Sequence, residues 1–531
     1  MKKKLVLCLA AVMAAGIIMT GCGGSGSNSG GGSSAGAEQQ AAANPDALIA
    51  GTSAGYFGAT NLDVASEWNG WYLSFFGVSE TLFRLDDAYN ANPWLVESYN
   101  NVDETTWEFT LRDDVTFSNG EKMTADTVKA CLDRTYQVSD RAQSTLAIDE
   151  IRADGQVLTI VTPEANPTIL NDLCDPLFGI YYTGDDQDYE GGSVCTGPYV
   201  VSEFEANVET TLSAYPDYWG GAPKEETVVL KSFSDVDSMV YAIQNGEIDI
   251  IAALPASSIS LFTDESAYTT YSVATTRGHF VRFNYDSAVA SDPAVRQALA
   301  MCIDRDGYAD ELCEGTCVPD WGVFTNTLSY GNTDNLNLKV DKYDPEGAAQ
   351  VLADAGWEDT DGDGILDKDG TPLEIKCITI STQQSFLDMG DILHSTLGDI
   401  GIDFSMTSYE QLETQEAYAD LDWDAELSSK AMAPTGNPQY FLNTDVVTGG
   451  PANYGGYSNE QIDELAAELS GTFDPAQRDA IMYEVQQIIL DESAYIVFSN
   501  PEFICVSTNA VSGFEIQPSE YYFIDNKIEK N

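Results

Sequence analysis

Gly51-Thr52-Ser53-Ala54-Gly55 fits G-x-S-x-G, the turn that presents a nucleophilic serine in α/β-hydrolases. That chemistry needs an acid and then a histidine further along the chain, and only His279 and His394 exist to serve. Nothing in the sequence aims either one at Ser53. The competing reading is a small-residue turn after the strand-like stretch Ala47 to Ala50. A second pattern, Asp359-Thr360-Asp361-Gly362-Asp363-Gly364 followed by Leu366 and Asp367, reads like a calcium loop. Oxygen ligands at positions one, three and five and a glycine at the sixth suit a hard cation. Position twelve, where a bidentate glutamate belongs, is Gly370. Asp359, Asp361, Asp363 and Asp367 therefore form a calcium half-site of structural use, or else a solvated turn. Two histidines and no C-x-x-C pair weigh against a structural zinc site.

Aromatic side chains crowd the first stretch of the body: Tyr56, Phe57, Trp68, Trp71 and Tyr72. Ligand clefts are lined mainly by apolar and aromatic groups with a few placed polar ones, so these compete between cleft and core.

The elements that must position such residues announce themselves by their caps. Asp292-Pro293, Asp344-Pro345 and Asp474-Pro475 each set a capping carboxylate before a proline at the first helical position. Behind them the apolar spacing is helical, as in Val295, Ala298, Leu299, Cys302 and Ile303, or Ala348, Val351, Leu352 and Ala355 before Gly356. Ser458 and Gln461 form a capping-box pattern ahead of Ile462, Leu465, Ala466 and Leu469. Strand-like runs lie between, at 157–161, 227–230, 248–252 and 373–380. Alternating helices and strands predict an α/β architecture.

At the other end, Lys2, Lys3 and Lys4 precede fifteen apolar residues, Leu5 to Met19, and then Met19-Thr20-Gly21-Cys22. A basic start, a short apolar core and small residues make a secretory leader over 1–21. The apolar run falls short of the roughly 20 residues that cross a bilayer. Cys22 after those small residues looks like a lipidation site, which predicts a lipid anchor on the extracellular (or periplasmic) face of the cell membrane. Residues 22–45, rich in Gly, Ser and Ala, can bury nothing and read as a tether with a reach of about 25–30 Å. About 485 residues remain, enough for two or three cores.

The whole chain carries a net charge of −61, and −64 once the leader's three lysines are gone. Such a surface repels phosphate backbones and argues against a nucleic-acid partner. Eight cysteines follow Cys22, an even number that permits disulfides in an exported protein, with Cys313–Cys317 and then Cys174–Cys195 as the favoured pairings.

Seven segments resemble the signatures of one family. They are TLRDDVTFSNGEKMTADTV (110–128), CTGPYVVSEF (195–204), PDYWGGAP (216–223), AIQNGEIDII (242–251), DPAVRQALAMCIDR (292–305), YDPEGAAQVLADAGW (343–357) and NYGGYSNEQIDEL (453–465). Together they are similar to the family 5 extracellular solute-binding proteins, receptors of peptide, nickel and opine ABC importers. The resemblance implies a two-lobed, hinged periplasmic-binding-protein-like fold. Lobe I would span 46–273 with an accessory subdomain at about 86–189, lobe II 274–496, and 497–531 would return to lobe I. It implies no enzymatic step, no required cofactor, ABC permease subunits as partners and a monomer. A small peptide or metal chelate would close the lobes by touching both.

The resemblance also supplies site residues. It sets Tyr72 and Glu67 at cleft-facing positions, beside Tyr56, Trp68 and Trp71. Arg141 matches an arginine that grips a carboxylate of the bound chelate, a task suited to a planar fork. Arg277 and His279 open the first strand of lobe II beside the hinge. Relatives that bind dipeptides hold the α-ammonium with an aspartate, but the matching loop here, 430–438, has no acid. Lys430 and Met432 stand there instead, so the loop predicts an anionic or capped ligand. No histidine follows His394, which argues against direct nickel ligation from the later second lobe. The alternatives left open are a secreted serine hydrolase using Ser53 and a surface sensor on the same fold.

Overall fold

The computed structural model describes residues 47–531 apart from 54, 186, 411, 413–417, 419 and 420. The leader, the tether and Cys22 lie outside the described residues. The frame is a twelve-stranded mixed sheet: β1 (Leu48–Thr52), β2 (Tyr199–Glu205), β3 (Glu209–Ala214), β4 (Thr227–Ser232), β5 (Ile250–Ile251), β6 (Tyr268–Ala274), β7 (Arg277–Phe283), β8 (Cys317–Pro319), β9 (Glu374–Ile380), β10 (Asp403–Tyr409), β11 (Ala425–Ala431) and β12 (Tyr495–Thr508). Its order is β10-β9-β11-β7-β12-β5-β1-β4-β3-β2, with β6 and β8 also paired to β12.

β12 joins the two halves. Its first residues run antiparallel to β7, with Tyr495 opposite Arg282, and its last residues pair with β6 and β5, with Thr508 opposite Tyr268. The chain changes partners a second time between β6 and β7, over Thr275 and Thr276. Two adjacent strands therefore cross from one half to the other, and each half has its own parallel strands: β4-β1-β5 on one side, β11-β9-β10 on the other. β1 is buried at all five positions, as a strand covered on both faces must be.

The longer helices are α1 (Asn69–Phe75), α2 (Ala125–Val138), α3 (Val236–Gln244), α4 (Pro293–Met301), α5 (Pro345–Asp354), α6 (Gln384–Gly398), α7 (Glu460–Gly471) and α8 (Pro475–Glu492). Asp292, Asp344 and Asp474 cap α4, α5 and α8 as the Asp-Pro pairs predict, each side chain accepting a backbone N–H of the first turn. Gly356, at φ +88, follows the end of α5. The α7 cap is one residue later than predicted. Asn459, not Ser458, accepts from the N–H groups of Gln461 and Ile462, while the Ser458 hydroxyl bonds Thr448. The run 248–252 contributes only the short strand Ile250–Ile251.

A separate four-stranded antiparallel sheet, Val96–Asn101, Thr106–Leu111, Val157–Val161 and Glu150–Asp154, sits with α2 between β1 and β2 in the chain. One continuous apolar core runs from β1 through this subdomain to α7 and α8, and a second lies under α4, α5 and α6. Loop 433–437 bridges to the subdomain. The Asn171 side chain donates to the Thr435 carbonyl at 2.7 Å, and the Asn437 amide donates to Asp172 at 3.0 Å. Among the described residues no helix is long and apolar enough to cross a membrane.

The expected disulfides are not formed: all eight described cysteines are free and buried. Cys174 donates to the Leu170 carbonyl and Cys195 to the Ser193 carbonyl, so those two thiols are spent on their own turns.

Candidate functional site

α1 and the turn before it build one wall. Trp68, 59% exposed, stands at the N-terminal end of α1, and the Arg141 guanidinium lies 3.7 Å from its ring centre. Arg141 comes from the turn after α2. It donates to the Glu67 carbonyl at 3.3 Å and lies 3.7 Å from a carboxylate oxygen of Asp175. Glu67 is exposed and takes φ +49, which turns its carbonyl toward the arginine and its side chain to solvent. Asp175 also caps the short helix Pro176–Phe178, a fourth Asp-Pro pair with a second role. Arg141 is thus held by a ring, a carbonyl and a carboxylate while 33% of its side chain stays exposed. A planar cation so placed suits a carboxylate-bearing ligand.

Behind this wall, Tyr56, Trp71, Phe75 and Phe503 pack ring against ring, with half-buried Tyr72 beside Trp71. Glu520 from the C-terminal segment organises them. Its carboxylate accepts the Tyr56 hydroxyl and faces Arg277 at 3.5 Å, and its carbonyl accepts the Trp71 Nε1–H at 2.6 Å. Burial and the Glu520 charge push the Tyr56 phenol well above its ordinary value, so it stays a donor. Tyr56, Arg277 and Glu520 line a cavity of about 150 Å³. It shares Arg277, Leu254 and Glu502 with a neighbouring one of about 690 Å³ that reaches His279 and Gln383. A third cavity, about 320 Å³ and lined by Glu80, Arg84, Trp94 and Tyr522, includes none of the predicted residues.

The second wall comes from β7, β11 and the segment after loop 433–437. Tyr440 is 41% exposed, and the charges of Asp445, Arg141, Asp175 and Arg277 all reach its hydroxyl. Arg141 and Asp175 come from the first wall and Arg277 and Asp445 from the second, so Tyr440 lies near charges of both.

Three predicted residues sit differently from expectation. Lys430 is not a free cation: its ammonium is bound by the buried Asp445 carboxylate, and Asp445 also faces Arg282 at 3.8 Å. Met432 is 1% exposed and packs against Gly278, where a side chain would collide with its sulfur, so it belongs to the core. His279 is buried, with Nδ1 at 3.0 Å from the Ser499 hydroxyl and Nε2 at 3.0 Å from the Gln383 amide. His394 Nδ1 is taken by the Phe404 carbonyl.

Asp359, Asp361 and Asp363 bring carboxylate oxygens within 4.8 Å of one another in an exposed loop. Asp359 and Asp363 also accept backbone N–H groups of that loop, and Asp367 accepts from Thr360. Glu520, Asp175, Tyr440 and Asp445 were missed in the sequence. Asp175 carries the Asp-Pro signal used elsewhere; the other three lie in no motif.

Two halves joined by crossing strands, with polar and aromatic side chains from both facing one space, define a ligand receptor. The description "Bacterial extracellular solute-binding proteins, family 5 Middle" matches residues 90–453, and the chain belongs to that family. It is 27% identical over 451 residues to the nickel-binding protein NikA of Staphylococcus aureus, covering 85% of this chain and 88% of that one. To the oligopeptide-binding protein AppA of Bacillus subtilis it is 22% identical, over 82% of this chain and 83% of that one. Among solved structures, the nickel ABC transporter protein of Bacillus halodurans superposes with a TM-score of 0.79 at 26% identity, over 91% of this chain and all of that one. S. aureus NikA in complex with Ni(L-His)2 gives 0.74 at 25%, over 92% of this chain and all of that one. The fold is the two-domain, periplasmic-binding-protein-like one, and the protein is a non-enzymatic transport receptor.

Proposed function

We propose that this receptor is anchored by a lipid on Cys22 outside the cell and works as a monomer. In this reading it captures a small, carboxylate-bearing peptide or amino-acid metal chelate for an ABC importer. The observation that carries the ligand class is Arg141, stacked on exposed Trp68 with its side chain partly exposed. Arg277 and Tyr440 would meet the ligand from the opposite wall, and Tyr56, Trp71 and Tyr72 would line its apolar side. Because Asp445 holds Lys430 closely, anion selection in this reading falls on Arg141 and Arg277, whose carboxylate neighbours stand further off at 3.7 and 3.5 Å. The relatives named above bind nickel and oligopeptides. In the same reading the Asp359–Asp363 loop takes calcium in a structural role, which a calcium-dependent rise in Tm would support.

The test is thermal melting of the soluble Cys22→Ser protein with nickel–histidine, free dipeptides, N-acylated peptides and peptide amides. Carboxylate-bearing probes are expected to raise Tm and amides to leave it unchanged. A rise with amides equal to that with acids would contradict the reading.

A further inference from the structure

The geometry points to a thiophilic metal site built by His279, Cys313 and Cys317 in the second half of the molecule, on the cavity that Arg277 also lines. One ligand atom from each lies within 4.8 Å of the others, and all three residues are buried. Around zinc, bonds of about 2.3 Å to sulfur and about 2.0 Å to nitrogen set donors roughly 3.5 Å apart, so closure needs contraction by about an ångström. The turn 313–317 can supply that. Glu314 and Gly315 take consecutive positive φ values, +48 and +76, folding the two cysteines onto one side of a tight loop.

The surroundings are those of a ligand set. His279 opposes Ser499 on β12, and the register slips at that point by one residue, a bulge beside the imidazole. Phe498, in the bulge, and Phe386 pack within 6.0 and 5.0 Å of the imidazole and form an apolar shell. The Tyr308 hydroxyl lies 3.1 Å from Nδ1 and donates to the Ser385 hydroxyl at 3.0 Å, and the Ser499 hydroxyl lies 3.0 Å from Nδ1. Gln383 lies 3.0 Å from Nε2, so these side chains fix the ring, and a metal that takes one nitrogen leaves the other hydrogen-bonded.

The three donors leave a fourth position, and the cavity of about 690 Å³ that they line gives a path for entry. Two thiols and one imidazole suit zinc or monovalent copper and exclude calcium and magnesium. Binding of a divalent ion replaces both S–H protons by metal–sulfur bonds and releases two protons. The resulting neutral centre tolerates Arg277 nearby.

The experiment is cobalt(II) titration of the full-length Cys22→Ser protein, reduced and freed of metal by chelation. Thiolate-to-cobalt charge-transfer absorption saturating at one equivalent and bleached by zinc is expected. Cys313→Ser and Cys317→Ser should weaken it at least about tenfold, and Cys131→Ser should leave it intact. Zinc should also protect Cys313 and Cys317, mapped by peptide mass, from alkylation in the unmutated chain. The inference is overturned if cobalt gives no thiolate band, or if zinc protects other cysteines. It is equally overturned if the pair proves to be a disulfide whose reduction yields no cobalt binding.

Discussion

Asp445 decides what Lys430 can do. A carboxylate 1% exposed must be paired, and Lys430, Thr444 and Arg282 surround it. Lys430→Met removes a cation from a buried acid, so a loss on the order of 2 kcal/mol of stability is expected, discounted for the lysine's partial exposure. Ligand affinity should stay within about twofold of wild type, as urea unfolding and calorimetry would read side by side. A large affinity loss without destabilisation would return Lys430 to the ligand. Glu520 shows the opposite side of residue-level reading. Its φ of +56 is held by Tyr56, Arg277 and Trp71, partners 243 or more positions away, and no local pattern announces such a residue. The resemblance singles out Arg141 but not its neighbour Asp175, whose Asp-Pro pair announces a helix cap and whose second contact depends on tertiary placement.

Local chemistry made the helices readable, because caps and apolar spacing act within one turn. The one-residue error at α7 is of the same kind: Ser458 and Asn459 are both good caps, and packing chose between them. Asn459→Ala should cost about 1 kcal/mol and Ser458→Ala only a few tenths, measured by denaturant midpoints. The partner change along β12 was not legible, since pairing with β7 and then β6 involves strands more than 200 residues away. Loop 433–437 carries a pH dependence. Burial raises Asp172, which accepts the Asn437 amide, to about 6, and it raises Asp320 equally. Glu80 and Asp175 shift upward too. Each binds a proton more tightly folded than unfolded, so their contribution to stability is largest near pH 4 and is lost as pH rises through 6. The capping Asp292 and Asp344 are shifted down, so their contribution is constant across that window and is lost only as pH falls below about 4. Melting from pH 4 to 7 should show Asp172→Asn flattening this decline, and Asp172→Asn with Asp320→Asn flattening it further. An unchanged slope in both would show that these carboxyls are not the cause.

At the scale of the whole molecule, a net charge of −61 coexists with arginines reserved for particular jobs. Arg282 and Arg305 are buried and paired or bonded within the second half, whereas Arg141 and Arg277 lie at the facing walls with part of each side chain exposed. A ligand that bridges those walls favours their approach by the contacts it makes to both, and an importer can read that shape. Family membership makes the receptor role secure, and the two-wall geometry supports the proposal that Arg141, Arg277 and Tyr440 hold the cargo. Native mass spectrometry of the soluble protein identifies the co-purified ligand, and calorimetry then compares wild type, Arg141→Ala and Tyr440→Ala. Loss of a charge-assisted contact predicts at least about tenfold weaker binding for Arg141→Ala, and a clear loss for Tyr440→Ala from the other wall. Wild-type affinity in either variant would contradict a ligand held between the two.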